Sequence, residues 1–392
     1  MNDDFDEIEY LQEIQDSDDI GEIQANEIVV YSRDWTIGTF YDQIEQGNID
    51  LNPGFQRRNA WDDPKRGKLI ESIIKGYPVP EIVLAENTNN RGSFIVIDGK
   101  QRLLTMAGFI NHERYKYWQS PMVRNLKIGN TVSNYTYTDI SRDPALRRAF
   151  ENASLRCTII TNYKSDDVLY DIFYRLNSGS SPLSSQELRQ ALNKGPYSDY
   201  LVQITNDDSV LRKVMNLKSA DRRLRDIEVI LRIMSFLRYA KDYHGNLRLF
   251  LDNTMKQFNQ EYAQNQEGIH KLYKVIIDTI DILKNVFGDY CSVGRRFKNG
   301  EFESRFNRVI LEVQIYYFSQ TPETFFSKES NATFVDLFKK LCDNDASFRA
   351  SVEGSTKNME NYAVRYKKFQ DIFNQAYHCN LNINPYLDVS IH

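Results

Sequence analysis

The feature that most limits the fold is a change of period near residue 165. Before it, the apolar residues come in short runs bounded by Pro, Gly and polar clusters. Ile28-Val29-Val30-Tyr31, Glu81 to Glu86, Phe94 to Ile97 and Leu155 to Tyr163 read as strands. Helices fall between them. One spans Thr36 to Gln46. The next is capped by Asp62 or Asp63, has Pro64 in its first turn, and carries Leu69, Ile70, Ile73 and Ile74 on one face up to Gly76. A third runs from Gln101 to about Ile110. Residues 111–150, rich in Tyr, Asn and charge, show no clear period.

After Ser165 the spacing is helical. Val168, Leu169, Ile172, Phe173 and Leu176 share one face. Ser184-Ser185-Gln186-Glu187 supplies a capping box for a helix closed by Gly195, and Asp221 begins another. Further helices are expected over His270–Phe287, Ser304–Ser319, Ala332–Cys342 and Tyr362–Tyr377. The chain is therefore expected to be α/β (α+β), with a mixed N-terminal core followed by a mainly α-helical C-terminal domain. Its divisions are 1–27, 28–165, 166–240 and 241–392. At 392 residues, 41% of them hydrophobic, it can bury sizeable cores without staples.

Charge is distributed unevenly. Residues 1–27 hold eleven Asp and Glu and no Lys or Arg, as in a solvated acidic leader. Residues 28–392 hold 49 Lys and Arg against 43 Asp and Glu, a balance that permits contact with a polyanion such as DNA. Cys157, Cys291, Cys342 and Cys379 lack metal-type spacing and suit reduced thiols in the cytoplasm. No signal peptide and no apolar run long enough for a membrane span is present, so neither export nor membrane insertion is expected.

The candidate site is Ile97-Asp98-Gly99-Lys100-Gln101-Arg102. A strand that ends in Asp-Gly and opens directly into a helix aims free amides and the positive end of the helix dipole at one loop, an anion site. Gly99 allows positive φ and close approach of a phosphate. Lys100 and Arg102 add cations, and the Arg102 fork suits bidentate phosphate contacts. Asp98 can hold a metal, orient Arg102 or polarise a water. An Asp-Gly turn before a helix is also a common structural turn, so the neighbouring segments matter. No Walker-type loop is present.

Those neighbours are Phe55-Gln56-Arg57 with Trp61, Leu69-Ile70-Glu71-Ser72-Ile73, Pro78-Val79-Pro80 and Ile97 to Thr105. Phe173 to Gly179, Leu183-Ser184 with Glu187-Leu188-Arg189, and Arg223-Leu224-Arg225-Asp226 with Arg232 follow in order. Together, over about residues 28–240, they resemble the N-terminal domain family of GmrSD-type, modification-dependent restriction enzymes and SspE-like phage-defence proteins. The resemblance implies a ParB/sulfiredoxin-like core over 28–165 whose DGQQR-type loop binds a nucleoside triphosphate, with Mg²⁺, and supports its hydrolysis. It assigns Asp98 and Arg102 to catalysis, and Gly99, Gln101, Gln56 and Arg57 to nucleotide binding. Lys100, where the family more often has Gln, adds charge toward phosphate. No metal ligand is assigned.

The implied function is an NTP-hydrolysing sensor or regulatory protein of a restriction or phage-defence system acting on foreign or modified DNA. His112, His244, His270, His378 and His392 do not make the HNH-type nuclease pattern that many relatives carry, so cutting would fall to a separate nuclease partner or to an unrecognised activity. Two alternatives stand beside this reading. In one, Glu86, Asp98 and Lys100 form a metal-dependent nuclease site. In the other, Arg222, Arg223, Arg225, Arg232 and Arg238 grip DNA phosphates in a non-enzymatic adaptor.

Overall fold

In a computed structural model the described residues are 28–51, 61–88, 90–128, 131–176, 184–221, 223–353 and 358–386. They fall into two compact units that meet in sequence at Leu192 and Asn193. The acidic segment 1–27, together with Gln56, Arg57 and Arg222, lies outside the described residues.

The first unit is built on a four-stranded mixed sheet. Its strands are β1 (Val29–Thr36), β2 (Ile82–Glu86), β3 (Phe94–Asp98) and a later strand, Ser154–Thr161, in the order β1, Ser154–Thr161, β2, β3. β2 runs parallel to Ser154–Thr161 and antiparallel to β3. Helices cover both faces, so the inner strands read as nearly continuous apolar runs. On one face Ile82, Leu84, Val96, Cys157 and Ile159 pack under α1 (Ile37–Glu45), α2 (Asp63–Ile74) and α3 (Lys100–Ile110). On the other, Val83, Ala85, Ile97 and Ile160 pack against Val168, Leu169, Phe173 and Leu188.

Local chemistry sets the boundaries. Thr36 caps α1 by accepting from the Thr39 amide, and Asp62 caps α2 by accepting from Lys65, with Pro64 in the first turn. The stretch 111–150 is more ordered than its sequence suggests. It holds an antiparallel ribbon, β4 (Val123–Ile128) with β5 (Thr131–Tyr135), then α4 (Tyr137–Arg142) and α5 (Pro144–Glu151), ahead of β6 (Ser154–Thr161). Thr136 and Asp139 form a capping box, and Asp143 caps α5. α6 (Asp166–Leu176) and α7 (Ser185–Leu192) complete the unit. Both bonds of the capping box read from the sequence are present: Glu187 N donates to Ser184 Oγ, and Ser184 N donates to Glu187 Oε2.

Among its described residues the second unit is helical apart from a two-residue hairpin, β7 (Phe297–Lys298) with β8 (Glu301–Phe302). Its helices are α8 (Pro196–Asp207), α9 (Val210–Met215), α10 (Arg225–Tyr239), α11 (Leu247–Phe287), α12 (Arg308–Phe318), α13 (Lys328–Asn344), α14 (Ala346–Glu353) and α15 (Met359–Tyr377). Gly195 does not close α7. It starts α8, because a Cβ there would fall 2.4 Å from Asn259 Oδ1, the atom that accepts from the Tyr197 and Ser198 amides. The helix expected over His270–Phe287 begins at Leu247 and is interrupted at Asn265 (φ −135°). Among the described residues no helix is long and apolar enough to cross a membrane.

Candidate functional site

The sheet delivers Asp98 to the start of α3 through one glycine. Gly99 has φ 92° and is the N-cap of α3, with no side chain bonded over the helix start. Only glycine fits: the conformation is left-handed, and a Cβ would sit 2.5 Å from Ile82 Cδ1. The first helical amides after Gly99 have no acceptor within the helix. Leu103 N makes the first bond, 3.0 Å to Gly99 O.

Asp98 and Arg102 are brought together across this turn. Asp98 Oδ1 accepts from Gly99 N (2.6 Å) and Oδ2 from Arg102 Nη2 (2.8 Å). The same Nη2 donates to the Glu81 carbonyl (2.8 Å). Strand pairing explains the meeting: Val83 opposes Asp98, which sets the residue preceding β2 beside the end of β3. Both Asp98 oxygens are therefore engaged, and the carboxylate acts as the orienter of Arg102. The Asp98 side chain is 36% exposed and that of Arg102 13%. Among the described residues Arg102 Nε and Gln101 Oε1 are buried without a hydrogen-bond partner, a cost that a native site offsets when a ligand or water completes the bonding. The Glu81 carboxylate accepts from Thr158 Oγ1 at 2.8 Å.

Lys100 is placed differently. Its ammonium is buried, 4.0 Å from Glu187 Oε1 on α7. Burial lowers its pKa below the usual lysine value, and Glu187 opposes that shift only in part. Trp61 is half-buried against the core of the first unit, with Lys65 Nζ 4.7 Å above its ring.

Two constellations read from the sequence are not assembled. β2 and β3 are antiparallel, so Glu86, which opposes Phe94, and Asp98, which opposes Val83, lie at opposite ends of the pair. Glu86 Oε1 instead accepts from Gly92 N in the connecting turn, which removes the Glu86/Asp98/Lys100 metal site. Among the described residues no three His, Cys, Asp or Glu side chains converge to hold a metal ion. The arginines of α10 do not make an open phosphate-gripping face either. Arg232 is buried on Glu312, Arg225 pairs with Asp221 (2.8 Å) and Arg238 with Glu261 (2.6 Å). His378 ends α15 in a left-handed conformation (φ 50°), a helix-terminating role.

Sequence reasoning missed Glu81 as a carbonyl partner of Arg102, and Glu187 as the partner of Lys100. Glu187 was visible as a capping residue and as part of the family pattern, with no sign that it meets Lys100. Neither contact has a signal in spacing, since strand pairing makes one and the packing of α7 on the sheet makes the other.

Residues 37–193 match the family model described as GmrSD restriction endonuclease, N-terminal domain. No curated protein matches the chain. The match runs from α1 to the end of α7, contains the whole Asp98–Arg102 junction, and stops before the Arg223-Leu224-Arg225-Asp226 run. Over residues 37–193 the chain is thus similar to the GmrSD restriction endonuclease N-terminal domain family.

Proposed function

We propose that the chain is a nucleoside-triphosphate-binding and hydrolysing sensor or regulatory protein of a restriction or phage-defence system that acts on foreign or modified DNA. One observation carries the nucleotide reading: Arg102 is held across Asp98 and the Glu81 carbonyl at a helix start that no side chain caps, beside two buried polar atoms that have no hydrogen-bond partner among the described residues. These residues fit a phosphate. The α3 amides and the remaining N–H groups of Arg102 supply donors, and Gly99 lets the backbone come close.

Arg102 neutralises charge that develops on the transferred phosphoryl group, while Asp98 keeps the guanidinium in place as a positioning residue. Gln101 offers its carboxamide to the nucleotide. Gln56 and Arg57, outside the described residues, would form a second polar edge. Mg²⁺ would enter with the triphosphate and share in charge neutralisation; the described side chains form no cage of their own for it, and no step is assigned to it. The histidines of this sequence do not make an HNH pattern, so in this reading strand cleavage falls to a separate nuclease partner or to an activity of another kind.

The test is phosphate release from a nucleotide panel with Mg²⁺, with and without DNA, for the unmodified chain and Arg102→Ala. At least one triphosphate should be hydrolysed, and the substitution should reduce turnover by about 100-fold or more. A well-folded chain that neither binds nor turns over any nucleotide would sink the proposal.

A further inference from the structure

The β4–β5 ribbon carries a chemistry that the nucleotide site does not use. Between Glu113 and Asp139 the sequence contains no Asp or Glu, yet it contains Arg114, Lys116, Arg124 and Lys127. Arg114 pairs with Glu45. Lys116, Arg124 and Lys127 are exposed and make no ion pair among the described residues. Some surface arginines of the first unit are matched locally, Arg147 with Glu151, Arg156 with Asp34 and Arg175 with Asp171, whereas exposed Arg33, Arg91, Arg142 and Arg148, like the ribbon cations, make no ion pair among the described residues.

A bulge makes the ribbon two-faced. Asn125 is left-handed (φ 54°), and the ladder steps from Val123 opposite Tyr135 to Leu126 opposite Ser133. Asn134 Oδ1 accepts from Asn125 N (2.9 Å) and holds the extra residue in place. Strict alternation would put Leu126 outside and Lys127 inside. The bulge reverses this, so Val123 and Leu126 are buried in the core while Arg124 and Lys127 share the outer face. Val132, opposite Lys127, is 58% exposed.

We infer that the β4–β5 ribbon contacts duplex DNA, with Arg124, Lys127 and Lys116 on backbone phosphates and Val132 turned into the groove. A segment that carries cations and no Asp or Glu complements a polyanion. A two-stranded ribbon fits the major groove, and a bulge adds the right-handed twist that follows it. The outer face carries no exposed aromatic platform of the kind single strands stack on, which favours a duplex. The inference rests on the proposal that this protein acts on DNA.

The experiment is a salt series, from about 50 to about 200 mM, on binding of the full chain to a labelled duplex of about two helical turns. It compares the unmodified chain, Arg124→Gln/Lys127→Gln, and a control of equal charge change on α11, Lys271→Gln/Lys274→Gln. The ribbon variant should keep its melting temperature, because neither side chain makes an ion pair among the described residues. It should lower the slope of log K against log salt by about 2, near 0.9 per phosphate contact, for duplexes of any sequence. The control should keep the full slope. An unchanged slope in the ribbon variant, an equal loss in the control, or displacement by single strands more readily than by duplex overturns the inference while leaving DNA action standing. Failure of the unmodified chain to bind duplex at low salt, with or without nucleotide, removes the DNA reading and this inference with it.

Discussion

Each unit contains an arginine–carboxylate pair, and the two differ in what surrounds them. In the second unit Arg232 and Glu312 are each about 1% exposed. Tyr362 Oη accepts from Arg232 Nη2 at 2.7 Å, and Tyr366 Oη donates to Glu312 Oε1 at 3.2 Å. Burial works against the Arg232 charge, but Glu312 and Tyr362 outweigh it and hold the guanidinium above the usual arginine value. In the first unit Asp98 is 36% exposed, and the partner that completes Arg102 is a backbone carbonyl. Among the described residues Arg232 Nη1 and Arg102 Nε both lack a hydrogen-bond partner, so a spare donor does not distinguish the pairs. Access does: the tyrosine-lined pair is closed to any ligand, whereas the Asp98 pair opens at a helix start.

The largest effect that can break this contrast is in the closed pair. Arg232→Met alone should cost about 3–5 kcal/mol, because it leaves Glu312 buried and uncompensated. Adding Glu312→Leu should recover most of that loss in urea unfolding of the full chain. Arg102→Ala should cost only about 1–3 kcal/mol, the value of a charged hydrogen bond, while removing nucleotide turnover. Equal costs at the two sites would mean that Arg102 is a structural residue.

A smaller effect sharpens the role of the turn. Gly99→Ala forces a side chain into left-handed backbone and against Ile82, and should destabilise by about 1–3 kcal/mol. Combining it with Ile82→Val should relieve the steric part and leave the backbone part, as read from melting temperatures. Full restoration by Ile82→Val would show that the conformation at residue 99 costs nothing.

The smallest effect is in pH dependence. Folding lowers the Lys100 pKa, so between that lowered value and the usual lysine value the unfolded chain binds more protons, and stability rises with pH. Lys100→Gln should flatten that alkaline rise. Melting curves from neutral pH to about 10 test this, and an identical rise in both proteins would show that Lys100 is not its source.

Much of this architecture could be read from neighbouring residues. Asp62 and Ser184 each cap a helix as the sequence suggests, because a cap bond spans only three residues. The Asp98-Gly99 junction was legible for the same reason: a strand-forming run, a residue without a Cβ and a helical run follow one another directly. The ribbon in 111–150 was harder to see, since the bulge at Asn125 breaks the alternation that marks a strand.

What tertiary structure alone decided was pairing over distance. The antiparallel direction of β2 and β3 separates Glu86 from Asp98 and brings Glu81 to Arg102, although all four lie within 22 consecutive residues. Docking of α7 on the sheet draws Lys100 toward Glu187, and α12 and α15 close Arg232 away from solvent. Spacing along a chain determines which groups can share a turn or a helix face. Which charges meet, and whether water reaches them, depends on how strands pair and helices pack.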